Sequence, residues 1–302
     1  MYLLMVVRLN RAIDLGIYAL SIALVMAVTL ASMLSPSASI EIWYGITNLG
    51  DEIIYLAFSI IIYYLSSPWQ GFVTAIAVLI AGALVIDLKE LFMLPRPPNP
   101  IFPEEGYGFP SGHAQVSSAF WVSLTILAKR RSIAVLGIII IILISLSRLA
   151  LNAHYPRDVI GGALIGSAIG VLASLVPRLS SQGSPYIYLI SPLVCIFSIT
   201  SYFYISRDAT LLKIAGISLG LSIHTPIYMS RAPHLSWRGM DRLVLISIVG
   251  ITSILILYLT KNAPPYLIFM GYIIIGIIIP MAGYMVSIAR GKRGDQLARL
   301  IC

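Results

Sequence analysis

The sequence predicts an all-α integral membrane protein of about ten spans. Charged residues make up 11% of the 302 positions and hydrophobic ones 59%, where a soluble domain carries roughly 25% charged residues. Mean hydropathy is +0.94. Apolar stretches recur along the chain, and prolines lie between them at Pro36, Ser67-Pro68, Pro177, Pro185 and Pro264-Pro265. In this setting the net charge of +8 does not argue for nucleic acid, because basic residues of membrane proteins concentrate in cytoplasmic loops. Cys195 and Cys302 alone give no basis for a disulfide framework or a cysteine metal site.

About 20 apolar residues cross a hydrocarbon core of about 30 Å. The candidate spans are 15–34, 50–66, 71–93, 113–128, 132–149, 158–176, 186–205, 209–229, 243–260 and 266–289. The first is preceded by Arg8 and Arg11, and its apolar stretch exceeds the 7–15 residues of a signal-peptide core, so it reads as a retained span. The connection from Pro95 to Ser111 contains six prolines and is expected to be held in turns and extended backbone. A basic stretch, Arg290 to Arg299, closes the chain.

Charge then orients the spans. With the N-terminus inside, 13 of the 20 basic residues fall on the cytoplasmic side: Arg8, Arg11, Lys129, Arg130, Arg131, Arg178, Arg231, Arg238, Arg242, Arg290, Lys292, Arg293 and Arg299. Six fall outside, and Lys213 lies within the eighth span. Four of the six are Lys89, Arg96, Arg148 and Arg157, which belong to three clusters of polar residues at expected span ends.

In the first cluster, Pro95 and Pro97 disfavour helix at Leu94 and Arg96, so the third span should stop near Met93 and let Arg96 fold back over Lys89. A pair of snorkelling interfacial cations would have the same sequence. In the second, Pro110-Ser111-Gly112-His113 precedes the fourth span. Ser111 suits an N-cap, Gly112 allows close approach, and free N–H groups at a helix start favour an anion. His113 would then stand beside that anion as a proton donor. In the third, Pro156 suits the first helical position of the sixth span and places Asp158 in its first turn. His154, four residues earlier, can give a ring N–H to Asp158 and keep its other nitrogen free as a nucleophile. A plain charge at a helix N-terminus is the simpler reading of Asp158, but it leaves His154 and Arg148 unexplained.

These residues resemble a known family. Lys89–Pro97 reads KxxxxxxRP, Pro110–His113 reads PSGH, and Ser147–Asp158 reads SRxxxxxHxxxD. They are similar to the three signatures of the type 2 phosphatidic acid phosphatase superfamily, which includes lipid phosphate phosphatases, polyprenyl diphosphate phosphatases, bacterial acid phosphatases and vanadium haloperoxidases. Every defining position matches, in order and spacing. The resemblance covers about residues 10–176. It implies a six-helix phosphatase core over 1–176, leaving 177–302 as a membrane region of about four spans with no assigned role.

It also implies roles. His154 would be the nucleophile that forms a phosphohistidine, Asp158 would orient it, and His113 would protonate the leaving group and later help activate water. Lys89, Arg96 and Arg148 would bind phosphate oxygens with Ser111 and the Gly112 backbone. Three cations can neutralise a phosphoryl group without a divalent ion, so neither metal nor cofactor is expected. The partners implied are a lipid phosphate and the surrounding membrane lipids, not nucleic acid.

Other polar residues are weaker candidates. Asp87 is read as structural, and Glu104 and Glu105 as solvated loop residues. Arg157 is read either as a contact for a second phosphate or lipid headgroup or as an interfacial charge. His224 is read as structural, His234 has no assigned partner, and Trp43 and Trp69 suit an interfacial belt. The expected activity is hydrolysis of a lipid phosphate or diphosphate at the extracytoplasmic face, with both termini cytoplasmic. A polyprenyl (dolichyl or undecaprenyl) diphosphate is favoured because the site faces out. Phosphatidic acid and phosphatidylglycerophosphate are alternatives, as is phosphoryl transfer between lipids. A transporter is disfavoured because transporters place polar groups near the bilayer midplane.

Overall fold

A computed structural model describes residues 2–33, 36–175, 189–223 and 239–301. Among the described residues there are helices and no strands. The helices are α1 Tyr2–Ser32, α2 Pro36–Asn48, α3 Glu52–Leu65, α4 Pro68–Phe92, α5 Gly112–Ala128, α6 Arg131–Ala150, α7 Pro156–Ala173, α8 Ile190–Tyr204, α9 Ala209–Leu221, α10 Gly239–Thr260 and α11 Pro265–Ile301. Each of the ten expected spans contains one of them. The amphipathic α2 was not expected. It joins α3 with a bend of 52°, so the two form a bent pair at the second expected span.

Among the described residues six helices are long and apolar enough to cross a bilayer, or seven if the bent pair is one span. α5 has 17 residues, matching the short fourth stretch 113–128, whereas α8 and α9 have 15 and 13, short of the spans expected at those positions. Pro177, Arg178, Pro185, His224, Arg231, His234, Arg238 and Cys302, and the side chains of Arg8 and of Arg290 to Arg299, lie outside the described residues.

The chain forms two compact units. Residues 1–56 and 84–174 make the first, and residues 57–83 and 175–302 the second. In the first unit α5 packs on α7 more extensively than any other helix pair of that unit. Gly162, Gly166 and Gly170 recur every four residues along one face of α7 and bring its backbone against that of α5. A Cβ at Gly170 would stand 2.7 Å from the Ala119 carbonyl oxygen, and one at Gly166 would overlap that of Gln115. Around this seam Gln115, Ser117, Ser118 and Ser123 are fully buried. At the far end of α6 from the site, Asp14 accepts a hydrogen bond from Ser132 and pairs with Arg130 at 3.7 Å. In the second unit α9 is buried against α11, the Tyr64 hydroxyl donates to the Ile279 carbonyl, and Arg242 donates to the Leu65 carbonyl at 3.0 Å.

Helix ends follow the local sequence. α4 stops at Phe92, and Met93 turns the chain with φ 49° before Pro95. α7 starts with Pro156 at its first position, which puts Asp158 in the first turn as expected. The glycine seam gives a test. Gly166→Ala should destabilise the protein by about 1–3 kcal/mol, because a backbone carbonyl cannot yield to the new methyl group. Gly166→Val should be worse. Thermal unfolding in detergent measures both.

Candidate active site

The C-terminal ends of α4 and α6 and the N-terminal ends of α5 and α7 meet at one end of the first unit. The Ser111 N–H donates to the Asp158 carbonyl oxygen at 2.9 Å, tying the start of α5 directly to the start of α7. The proline-rich loop is anchored as well. Asn152 donates to the carbonyls of Pro98 (2.7 Å) and Asn99 (3.2 Å), the Ile101 N–H to Leu151 (3.1 Å), and the Gly108 N–H to Leu94 (2.7 Å). At the α2–α3 bend, Gly50 lies over His113, and a Cβ there would be 2.8 Å from the imidazole Cδ2.

His154, Asp158 and Arg148 are buried together in this region. Arg96 Nη1 lies 3.1 Å from His154 Nε2. A guanidinium can only donate, so Nε2 is the unprotonated nitrogen and Nδ1 carries the proton. Nδ1 faces Asp158 Oδ2 at 3.5 Å. That separation orients the ring electrostatically, and no hydrogen bond is formed there, contrary to the expected ring N–H bond. The same carboxylate oxygen accepts the Tyr155 N–H at 3.0 Å, so Asp158 also holds the helix start. Burial, and then the charges of Arg96, Arg148, Lys89 and His113, push the His154 imidazole down to about 2. It is therefore neutral at ordinary pH.

Arg96 is held on every side: Nε donates to Gly106 O, Nη2 to Glu105 O and Nη1 to Ala153 O, each at 3.1 Å. Arg148 Nη1 donates to Thr47 Oγ1 at 2.9 Å. Lys89, in the last turn of α4, is half-buried and acts through its charge on both histidines. Ser111 takes the N-cap position of α5, yet its hydroxyl makes no capping bond. That Oγ is buried without a partner, which leaves it free for an anion's oxygen. Gly112 follows with no atom nearer than 3.7 Å to a Cβ built on it.

Two residues beyond the expected set enter the cluster. Glu104, expected to be solvated, pairs with both arginines: Oε2 is 3.4 Å from Arg96 Nη1, and Oε1 accepts from Arg148 Nη2. Two cations facing a single loop bearing an acidic residue was the available signal. Thr47 stands 101 residues from Arg148, and nothing local marks it. Arg157 stacks on Tyr155 (5.1 Å) and pairs with Asp158 at 3.5 Å.

Beside these groups lies a cavity of about 380 Å³ walled by Tyr44, Thr47, Phe102, Glu104, His113 and Arg148, among others. Tyr44 and Phe102 stack at its edge with ring centroids 4.5 Å apart. The arrangement provides an unprotonated imidazole nitrogen, an oriented carboxylate, three cations and a second histidine. That set suits nucleophilic attack on a bound phosphoryl group.

Comparison with known proteins finds a matching family and several similar proteins. Residues 53–181 match the PAP2 superfamily. Undecaprenyl-diphosphatase of Sulfolobus acidocaldarius is 43% identical over 67 residues, which is 22% of this chain and 32% of that protein. The chain thus spans about a third of that relative's length. Phosphatidylglycerophosphatase B of Bacillus subtilis is 29% identical over 140 residues, 42% of this chain and 69% of that protein. The crystal structure of a transmembrane PAP2-type phosphatidylglycerolphosphate phosphatase from Bacillus subtilis aligns with TM-score 0.43 and 20% identity, over 55% of this chain and 96% of that one. The three motifs lie inside the segment from 53 to 181 that matches the PAP2 superfamily, and they gather at one end of four helices.

Proposed function

We propose that this protein is a membrane phosphatase that hydrolyses a lipid phosphate or diphosphate through a phosphohistidine. One observation carries the reading. His154 presents an unprotonated Nε2 3.1 Å from Arg96, with Asp158 behind its other nitrogen. In the first step Nε2 attacks the terminal phosphorus and its bond to the leaving oxygen breaks, that oxygen being the lipid oxygen of a monoester or the bridging oxygen of a diphosphate, with His113 giving it a proton. The imidazole becomes positively charged on phosphorylation, and Asp158 offsets that charge. In the second step water attacks phosphorus and gives a proton to His113, the phosphorus–nitrogen bond breaks to return the lone pair to His154 Nε2, and inorganic phosphate leaves. Lys89, Arg96 and Arg148, with the Ser111 hydroxyl and the Gly112 N–H, stabilise the transferring group without a divalent metal.

A polyprenyl diphosphate is the favoured substrate, with the site opening to the extracytoplasmic side and both termini inside. The likeness to an undecaprenyl-diphosphatase supports the lipid. The excess of basic residues in the opposite loops supports the side. Phosphatidylglycerophosphate is the second reading, supported by the longer alignment with phosphatidylglycerophosphatase B.

Purified full-length protein should release phosphate from such lipids in the presence of chelator. His154→Ala should lower turnover on the order of ten-thousand-fold, as expected for loss of a nucleophile. Retained turnover in that variant, or loss on chelation, contradicts the mechanism.

The pH profile tests the imidazole. Because His154 is depressed to about 2 in the empty site, protonation is disfavoured and the neutral base persists as pH falls through 6.5. The acid limb of kcat/KM should therefore lie well below the usual histidine range, and a limb at about 6.5 contradicts a buried neutral nucleophile.

Orientation is tested with Glu105→Cys in a chain whose own cysteines are replaced by serine, since Glu105 is exposed. Labelling of intact cells by an impermeant maleimide is expected. Labelling only after permeabilisation reverses the assignment.

A further inference from the structure

We infer that Glu104 is a resident counter-anion of the phosphate site, which substrate must displace and which thereby selects for terminal phosphate groups. The inference rests on the phosphatase reading above. The Glu104 carboxylate lies between the two guanidinium groups, 3.4 Å from Arg96 Nη1 and hydrogen-bonded to Arg148 Nη2. The Arg96 donors also meet the carbonyls of Gly106, Glu105 and Ala153 and the His154 Nε2, Arg148 Nη1 donates to Thr47, and Arg148 Nε is buried without a partner. Arg148 Nη2, now on Glu104, and Arg148 Nε are thus the donors an incoming anion would meet. Glu104 and His113 share the wall of the same cavity, so a phosphoryl group within reach of His113 also meets this carboxylate.

Exposure sets the direction of exchange. The side chains of Arg96 and Arg148 are 9% and 4% exposed, against 24% for Glu104. The cations cannot turn to water, whereas the carboxylate can. Asn152, Leu151 and Leu94 hold the loop on both sides of Glu104, so rotation of one side chain suffices. In the empty enzyme the carboxylate keeps two buried cations from standing uncompensated. A phosphate monoester or diphosphate brings more charge and more acceptor oxygens than a carboxylate and displaces it. A phosphodiester headgroup carries one charge and gains little by the exchange. The bulk phospholipids around the site would therefore not fill it.

A site that is free only a fraction of the time binds its ligand more weakly by that fraction. If Glu104 holds the site about nine-tenths of the time, Glu104→Gln should bind inorganic phosphate roughly ten-fold more tightly by titration calorimetry. KM should fall more than kcat changes, and phosphatidylglycerol in mixed micelles should become a competitive inhibitor. Glu104→Ala should shift phosphate binding the same way. In wild-type protein, saturating phosphate should speed carbodiimide coupling of glycine ethyl ester to Glu104, read by peptide mass spectrometry; this requires no variant to fold. Unchanged or weaker phosphate binding in both variants, or protection of Glu104 by phosphate, overturns the inference while the phosphatase reading stands. Wild-type protein that neither binds phosphate nor releases it from lipids overturns both.

Discussion

The close approach of α7 to α5 is the constraint on which the site depends. Three glycines on one face of α7 let its backbone lie against the carbonyls of α5. In a bilayer, lipid tails are as apolar as leucine, so helices associate through packing of this kind and not through a hydrophobic driving force. The seam runs up to the Ser111 N–H and the Asp158 carbonyl. That single hydrogen bond sets PSGH beside the His154–Asp158 pair. Rigidity here matters because a catalytic group that drifts by an ångström loses much of its effect.

The second organising element is charge. Lys89, Arg96 and Arg148 converge where burial would make any one of them unfavourable alone. The fold meets this with backbone carbonyls around Arg96, a threonine hydroxyl at Arg148, and one carboxylate shared by both arginines. Burial first, and then the same positive field, keep His154 neutral. Asp158 is double: it accepts a main-chain N–H that starts α7 and faces the imidazole nitrogen opposite the reactive one.

The membrane helices show how far hydropathy alone reaches. Apolar stretches gave the positions of the helices well, because a buried or lipid-facing helix must be apolar along its length. They did not separate full spans from the shorter α8 and α9, nor reveal that α2 and α3 are a bent pair. Length of an apolar run is a property of composition. Whether the helix continues through it depends on what its ends pack against. The bend is itself useful, since it brings Thr47 to Arg148 and Gly50 onto His113.

By itself the sequence determined the helical membrane class and the three motifs from Lys89 to Asp158, whose residues the fold brings together. Local signals sufficed there: prolines that end α4 and start α7, a serine-glycine pair that opens α5, and a fixed four-residue step from His154 to Asp158. Only the tertiary structure decided which nitrogen of His154 is free, that the Ser111 hydroxyl stands without a capping bond, and that Glu104 and Thr47 belong with the arginines. The reason is physical. Backbone caps and short-range steps act between neighbours and leave their mark on adjacent residues. Charge compensation acts through space, so a carboxylate in a loop is solvent-facing or site-forming according to which cations the fold brings to it.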